Sequence, residues 1–121
     1  MRFLGSFITI AAFSLATTGS AWADAGAGKA IFEGAGKCGP CHNITDKKKV
    51  GPGLAGVSKR TTDEWMSKWL KDTQGTWDAN DAYTAKLKSE MKKEGKPKPA
   101  HQSKALSDQE IKDLVDYLKT L

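Results

Sequence analysis

The chain has 121 residues, of which 39% are hydrophobic and 27% charged, and its formal net charge of +5 comes almost wholly from lysine. A chain of this length makes one domain whose own apolar core is marginal, so it gains from an extra apolar body to pack around. The modest lysine excess suits encounter with an acidic surface; lacking arginine clusters and interleaved aromatics, it excludes a nucleic-acid-binding role.

Residues 1–23 open with Arg2, continue through an apolar run over 3–16 and close on Ala21-Trp22-Ala23. A basic head, a short apolar run and a small-x-small ending are the parts of a secretory signal peptide, with cleavage expected after Ala23. The run is shorter than the roughly 20 apolar residues of a membrane-spanning helix, so no stable membrane insertion is expected once it is removed. Residues 24–121 are then the functional domain, free of internal repeats and low-complexity tracts.

In residues 25–36, Ala27, Ala30, Ile31 and Phe32 predict a short helix, weakened by four glycines. Gly28 and Phe32 lie one turn apart, so a second helix can approach at the glycine while the phenyl ring fills the adjoining space. Both cysteines follow, in Cys38-Gly39-Pro40-Cys41-His42. That spacing reads as a covalent haem attachment site, each thiol adding to one vinyl group and His42 falling under the iron as an axial ligand. A disulfide across two residues would close almost no loop and add little stability.

Residues 43–58, with Lys47-Lys48-Lys49 and Gly51-Pro52-Gly53-Leu54, read as an irregular loop. Thr61 is expected to cap the next helix, with Glu64 completing a capping box, and Trp65, Met66, Trp69 and Leu70 form its apolar stripe. Residues 77–93 give a weaker helix in which Tyr83, Leu87 and Met91 recur every fourth residue, ended by Gly95 and Pro97. Gly95-Lys96-Pro97-Lys98-Pro99 must be extended, because proline fixes its own φ and disfavours helix before it. Ser107 caps the last helix, with Glu110 three residues on and Leu106 and Ile111 as a hydrophobic staple; Ile111, Leu114, Val115, Leu118 and Leu121 are its buried face.

A Gly-x-x-x-Phe helix, Cys-x-x-Cys-His, Gly-Pro-x-Leu and a closing Leu-x-x-Tyr-Leu helix occur here in that order. In this the chain resembles a bacterial class I, monohaem c-type cytochrome over essentially all of residues 24–121. The resemblance implies an all-α fold packed around one covalently bound haem c (iron), with the first and last helices crossing at Gly28 and Phe32 against Leu114 and Tyr117. It makes Cys38 and Cys41 the thioether positions, His42 the proximal ligand, and Pro52 the residue whose carbonyl accepts a hydrogen bond from the proximal imidazole. It also implies the periplasm as location, where haem is joined to such motifs.

The family usually places its distal methionine in an extended loop, often before a proline, ahead of the last helix. Here that place reads Lys96-Pro97-Lys98-Pro99-Ala100-His101, and Lys98 precedes Pro99. Met91, the nearest upstream methionine, is taken first as the distal iron ligand; Lys98 as a neutral amine, His101 and the absence of any protein ligand stay open beside it. Met66 belongs to an apolar stripe and is expected in the core.

The expected function is one-electron transfer between periplasmic redox proteins, with no substrate bond broken and hence no enzymatic activity. Lys47, Lys48 and Lys49 are the candidates for docking an acidic partner surface near the haem edge. A haem subunit of a periplasmic oxidoreductase, or a ligand-binding haem protein, is the alternative suggested by the irregular distal loop. Cys-Gly-Pro-Cys also fits a thioredoxin-like thiol-disulfide oxidoreductase, but no alternating β-branched runs flank it. A zinc site from Cys38, Cys41, His42 and His101 matches no usual spacing.

Overall fold

The computed structural model describes residues 23–121, and the expected leader, Ala23 apart, lies outside them. Among the described residues there are five α-helices and no strand: α1 (Ala25–Glu33), α2 (Asp63–Lys71), α3 (Thr73–Ala79), α4 (Ala82–Glu90) and α5 (Asp108–Leu118), with 3₁₀ turns at Val57–Lys59 and Ser103–Ala105. None of these helices is long and apolar enough to cross a membrane.

The crossing of α1 and α5 sets the frame. Asp24 caps α1 by accepting from the Gly26 N–H at 2.8 Å, while its own N–H donates to Asp113 on α5 at 2.9 Å. Gly28 is where the two backbones meet, since a Cβ there would collide with the Asp113 carbonyl and lie 2.7 Å from Tyr117 Cβ. One turn on, the Phe32 ring stands edge-on to Tyr117 at 5.6 Å between centroids. Ile111, Leu114, Val115 and Leu118 complete this core, with Leu114 only 1% exposed. Ser107 caps α5 as expected, accepting from the Glu110 N–H at 3.2 Å. The Gly56 N–H donates to the Leu121 carbonyl at 2.9 Å and fastens the long loop to the chain's end.

Two expected boundaries move. Thr62, not Thr61, caps α2, its hydroxyl accepting from the Trp65 N–H at 3.1 Å. Glu64 is thereby one residue too early for a capping box and pairs instead with Lys68 at 2.7 Å, the next turn of the same helix. The single helix expected over 77–93 is two helices. Asn80 takes a left-handed φ of 49° that ends α3, and Asp81 accepts from the Thr84 N–H at 2.8 Å to start α4; asparagine tolerates that conformation and aspartate is a strong N-cap. Lys88 ties the corner, donating to the Trp77 carbonyl at 2.8 Å and to Asn80 at 2.9 Å. Beyond α4 the chain turns at Lys92 and Gly95, both with positive φ, and runs without regular structure through the two prolines.

α2 faces two ways. Met66 and Leu70 are buried in the common core, as expected for Met66, while Trp65 and Trp69 stack at 5.3 Å on the side toward the Cys38–His42 turn. The helices therefore leave an aromatic-walled cleft between α2, α4 and the loops before and after them.

Candidate functional site

The turn from Cys38 to His42 is tight: the Cys38 carbonyl accepts from the Cys41 N–H at 3.1 Å and from the His42 N–H at 2.9 Å. The Gly51 N–H donates to the Cys41 carbonyl at 2.7 Å and folds the following loop back over the turn. Both cysteines are half-buried free thiols. Burial, with a smaller contribution from Cys41, pushes the Cys38 thiol up to about 11. The βαβ setting of a thioredoxin-like site is missing among the described residues. Nor do three or more His, Cys, Asp or Glu side chains gather into a metal-binding group among those residues, which leaves the zinc alternative without a site.

His42 Nδ1 lies 2.8 Å from the Pro52 carbonyl oxygen. A carbonyl can only accept, so Nδ1 carries the proton and Nε2, on the far side of the ring, keeps its lone pair. Burial lowers the pKa of this imidazole, outweighing the Pro52 hydrogen bond that raises it, and favours the neutral form that binds metals. Gly51 lies against the ring: a Cβ there would collide with His42 Cε1 and come within 2.8 Å of Nδ1. Only glycine lets the loop approach so closely.

The cleft has two lobes. The first is walled by Cys38, Leu54, Trp65, Met66 and Leu114 among others, and the second by Cys41, Val50, Trp77 and Met91. His42, Pro52, Trp69, Leu87 and His101 border both, so the lobes meet at the two histidines. The walls are predominantly apolar, as suits the faces of a flat organic group. Each lobe receives one thiol. Arg60 stands at the first lobe with its guanidinium donating to the Ala55 carbonyl at 2.7 Å and the Gly53 carbonyl at 2.9 Å. The wall is itself pinned, because the Trp65 indole N–H donates to the Thr84 hydroxyl at 3.0 Å and Thr84 is fully buried.

The distal candidates separate in space. Met91 ends α4, its N–H bonded to the Leu87 carbonyl at 2.9 Å, and borders only the second lobe. Lys98 donates to the Pro99 carbonyl at 3.1 Å and lines a polar hollow with Lys71, Asp72, Gln74 and His101. His101 faces His42 with ring centroids 6.3 Å apart. Its pKa is lowered to about 4, by burial first and then by repulsion from His42 and Lys98.

Near the turn, Lys48 Nζ reaches the Glu90 carbonyl at 2.7 Å and Lys49 Nζ the Gly39 carbonyl at 3.2 Å, so both brace the loop they belong to. Sequence reading passed over Arg60, Thr84 and Ser103. Arg60 is the only arginine after residue 2, which was a usable signal; a threonine inside a helix and a serine in a loop offered none.

A family model described as Cytochrome c matches residues 25–121. Comparison with curated proteins and with solved structures gave no match.

Proposed function

Because the chain belongs to the cytochrome c family, haem-based electron carriers whose iron porphyrin is held covalently, we propose that it is a periplasmic carrier of single electrons with one haem, attached through Cys38 and Cys41 and ligated by His42. The observation that carries this reading is the delivery of one free thiol to each lobe of a single apolar cleft, with an unprotonated His42 Nε2 where the lobes meet. One haem per chain follows from the sequence having only two cysteines, both in this motif. Bound there, the iron supplies a reversible one-electron couple.

The chain's own residues insulate and orient. The Trp65–Trp69 stack, Leu54 and Leu114 exclude water from the cleft, which limits the rearrangement that accompanies a change of charge. Pro52 fixes the His42 ring and raises its basicity toward a metal. Arg60 places a cation at the mouth of the first lobe, suited to the carboxylates that a haem carries.

The proposed partner is a periplasmic redox protein with an acidic surface. Lys47, Lys48 and Lys49 hold positive charge next to the Cys41 turn, flanking Ile44 and Val50, which are 51% and 66% exposed. Such a rim steers encounter through charge and seats it on apolar contact.

The test is export of the full chain in a host that matures c-type cytochromes, followed by mass measurement and a redox titration watched optically. The expected result is a mass one haem above that of the processed polypeptide and a single one-electron wave. Colourless protein with the bare polypeptide mass would end the reading. Electron transfer to an anionic partner should slow as salt screens the lysines; a rate independent of ionic strength would remove the docking surface and leave the carrier role intact.

A further inference from the structure

His42 and His101 belong to the wall that the two lobes share, together with Pro52, Trp69 and Leu87, so a flat ring spanning both lobes would pass these two imidazoles. With a metal–nitrogen bond of about 2.0 Å and a ring centre about 1.1 Å behind each nitrogen, two imidazoles on opposite sides of one metal sit about 6.2 Å apart, centre to centre. The observed separation is 6.3 Å. The 65° between the ring planes is compatible, because each imidazole can rotate about the axis through the metal.

His101 is built as a ligand is built. Ser103 Oγ donates to the Leu70 carbonyl at 2.8 Å, which uses its only hydrogen. It must therefore accept the proton of His101 Nδ1, also at 2.8 Å. Ser103 is 0% exposed, so the pairing is dry. The result is the tautomer seen at His42: Nδ1–H anchored to an oxygen and Nε2 carrying a lone pair. The partner of that lone pair is the Trp69 indole N–H at 3.3 Å, a long contact that a metal bond would replace.

Resting on the haem reading above, we propose that His101 Nε2 is the second axial ligand of the iron, opposite His42, in place of the Met91 expected from the sequence. Ser103 is its positioning residue. Met91 borders only the second lobe. Lys98 borders neither lobe, lines a polar hollow that His101 also borders, and has its ammonium group bonded to the Pro99 carbonyl.

The experiment compares ferric spectra of the matured full chain as wild type, His101→Ala, Met91→Leu and Trp69→Phe, by electron paramagnetic resonance and by the near-infrared charge-transfer band. The wild type should be low-spin with two nitrogen ligands and no sulfur-to-iron band. His101→Ala should lose the low-spin signal and regain it on adding imidazole, while Met91→Leu and Trp69→Phe should keep the wild-type ligand set. Ser103→Ala should retain two nitrogen ligands but bind cyanide faster, by about tenfold or more, as expected when an imidazole loses its hydrogen-bonded support. A wild-type sulfur band, a five-coordinate wild type, or low-spin iron persisting in His101→Ala without imidazole would each overturn the assignment. The wild-type spectrum decides the matter even if His101→Ala fails to mature. Coloured protein with another ligand overturns this assignment alone; colourless protein of bare mass overturns the haem reading beneath it.

Discussion

Gly28→Ala tests the crossing on which the whole site hangs. In an unobstructed helix this change is stabilising by about 0.5–1 kcal/mol, because alanine loses less backbone entropy than glycine. At position 28 the new methyl meets the Asp113 carbonyl and Tyr117 Cβ. Neither is the movable end of a side chain, so the helices must part. Overpacking of this kind costs about 1–3 kcal/mol, and a backbone obstacle places the cost at the upper end. The net expectation is about 2 kcal/mol of destabilisation, a fall in Tm on the order of 8–16 °C for a domain of this size. Gly26→Ala is the internal control, since a Cβ there meets only the carboxylate tip of Asp24 at 3.2 Å. Denaturant unfolding, followed both by far-ultraviolet circular dichroism and at the haem absorption, reads the two variants side by side. A Gly28→Ala midpoint equal to that of Gly26→Ala would refute the close approach of α1 to α5.

The corrected cap of α2 predicts that Thr62→Ala loses about 1 kcal/mol in chemical denaturation while Thr61→Ala changes little. Thr84→Val strips the acceptor from the Trp65 indole N–H and should cost about 1–3 kcal/mol, visible as a lower Tm. Gly51→Ala forces the His42 ring off its Pro52 carbonyl and should raise the high-spin fraction of the ferric protein, measured by electron paramagnetic resonance; an unchanged spectrum would remove the steric argument. Asp108 is held below its ordinary pKa by Lys71 at 2.6 Å, so the stability it contributes is present above its unfolded value and is lost as pH falls through the lowered one. Lys71→Ala should therefore lower stability slightly at neutral pH in low salt and flatten the acid limb of the stability–pH curve, the two proteins converging once Asp108 is protonated.

What was legible in the sequence is what short-range chemistry determines. Cys38 to His42 is one contiguous turn that could be read from its spacing, while the hydrogen bond from His42 to Pro52, ten residues away in a loop that Gly51 and Gly53 let approach closely, was anticipated through the family resemblance. The α1 and α5 patterns were equally local. Errors of helix placement came from competing local signals: two adjacent threonines offered a cap, and the four-residue rhythm of Tyr83, Leu87 and Met91 hid the Asn80–Asp81 break, although an Asn followed by an Asp marks a helix end and a new start. The distal side was left among four readings, His101 one of them, for a different reason. His101 sits in a segment without periodicity, and its proposed role rests on Trp69, 32 positions away, and on Ser103 reaching Leu70 across 33. No sequence window joins those residues.

The ligand set also bears on what the carrier can exchange electrons with. Methionine opposite histidine raises the reduction potential of a haem, so the proposed pair of imidazoles would set it lower than the family's usual pair. The anchoring adds to this. Pro52 and Ser103 each accept from an Nδ1–H, which makes both Nε2 atoms better donors and favours the more highly charged ferric state. The burial that excludes water acts the other way, since an apolar wall penalises the added charge of the oxidised iron. Arg60 opposes the ferric charge as well, from the mouth of the first lobe, unless its own charge is neutralised there. On the proposed ligand set the chain opposes strong nitrogen donors with an apolar, cationic enclosure, and a potentiometric titration of the matured protein reads the balance between them.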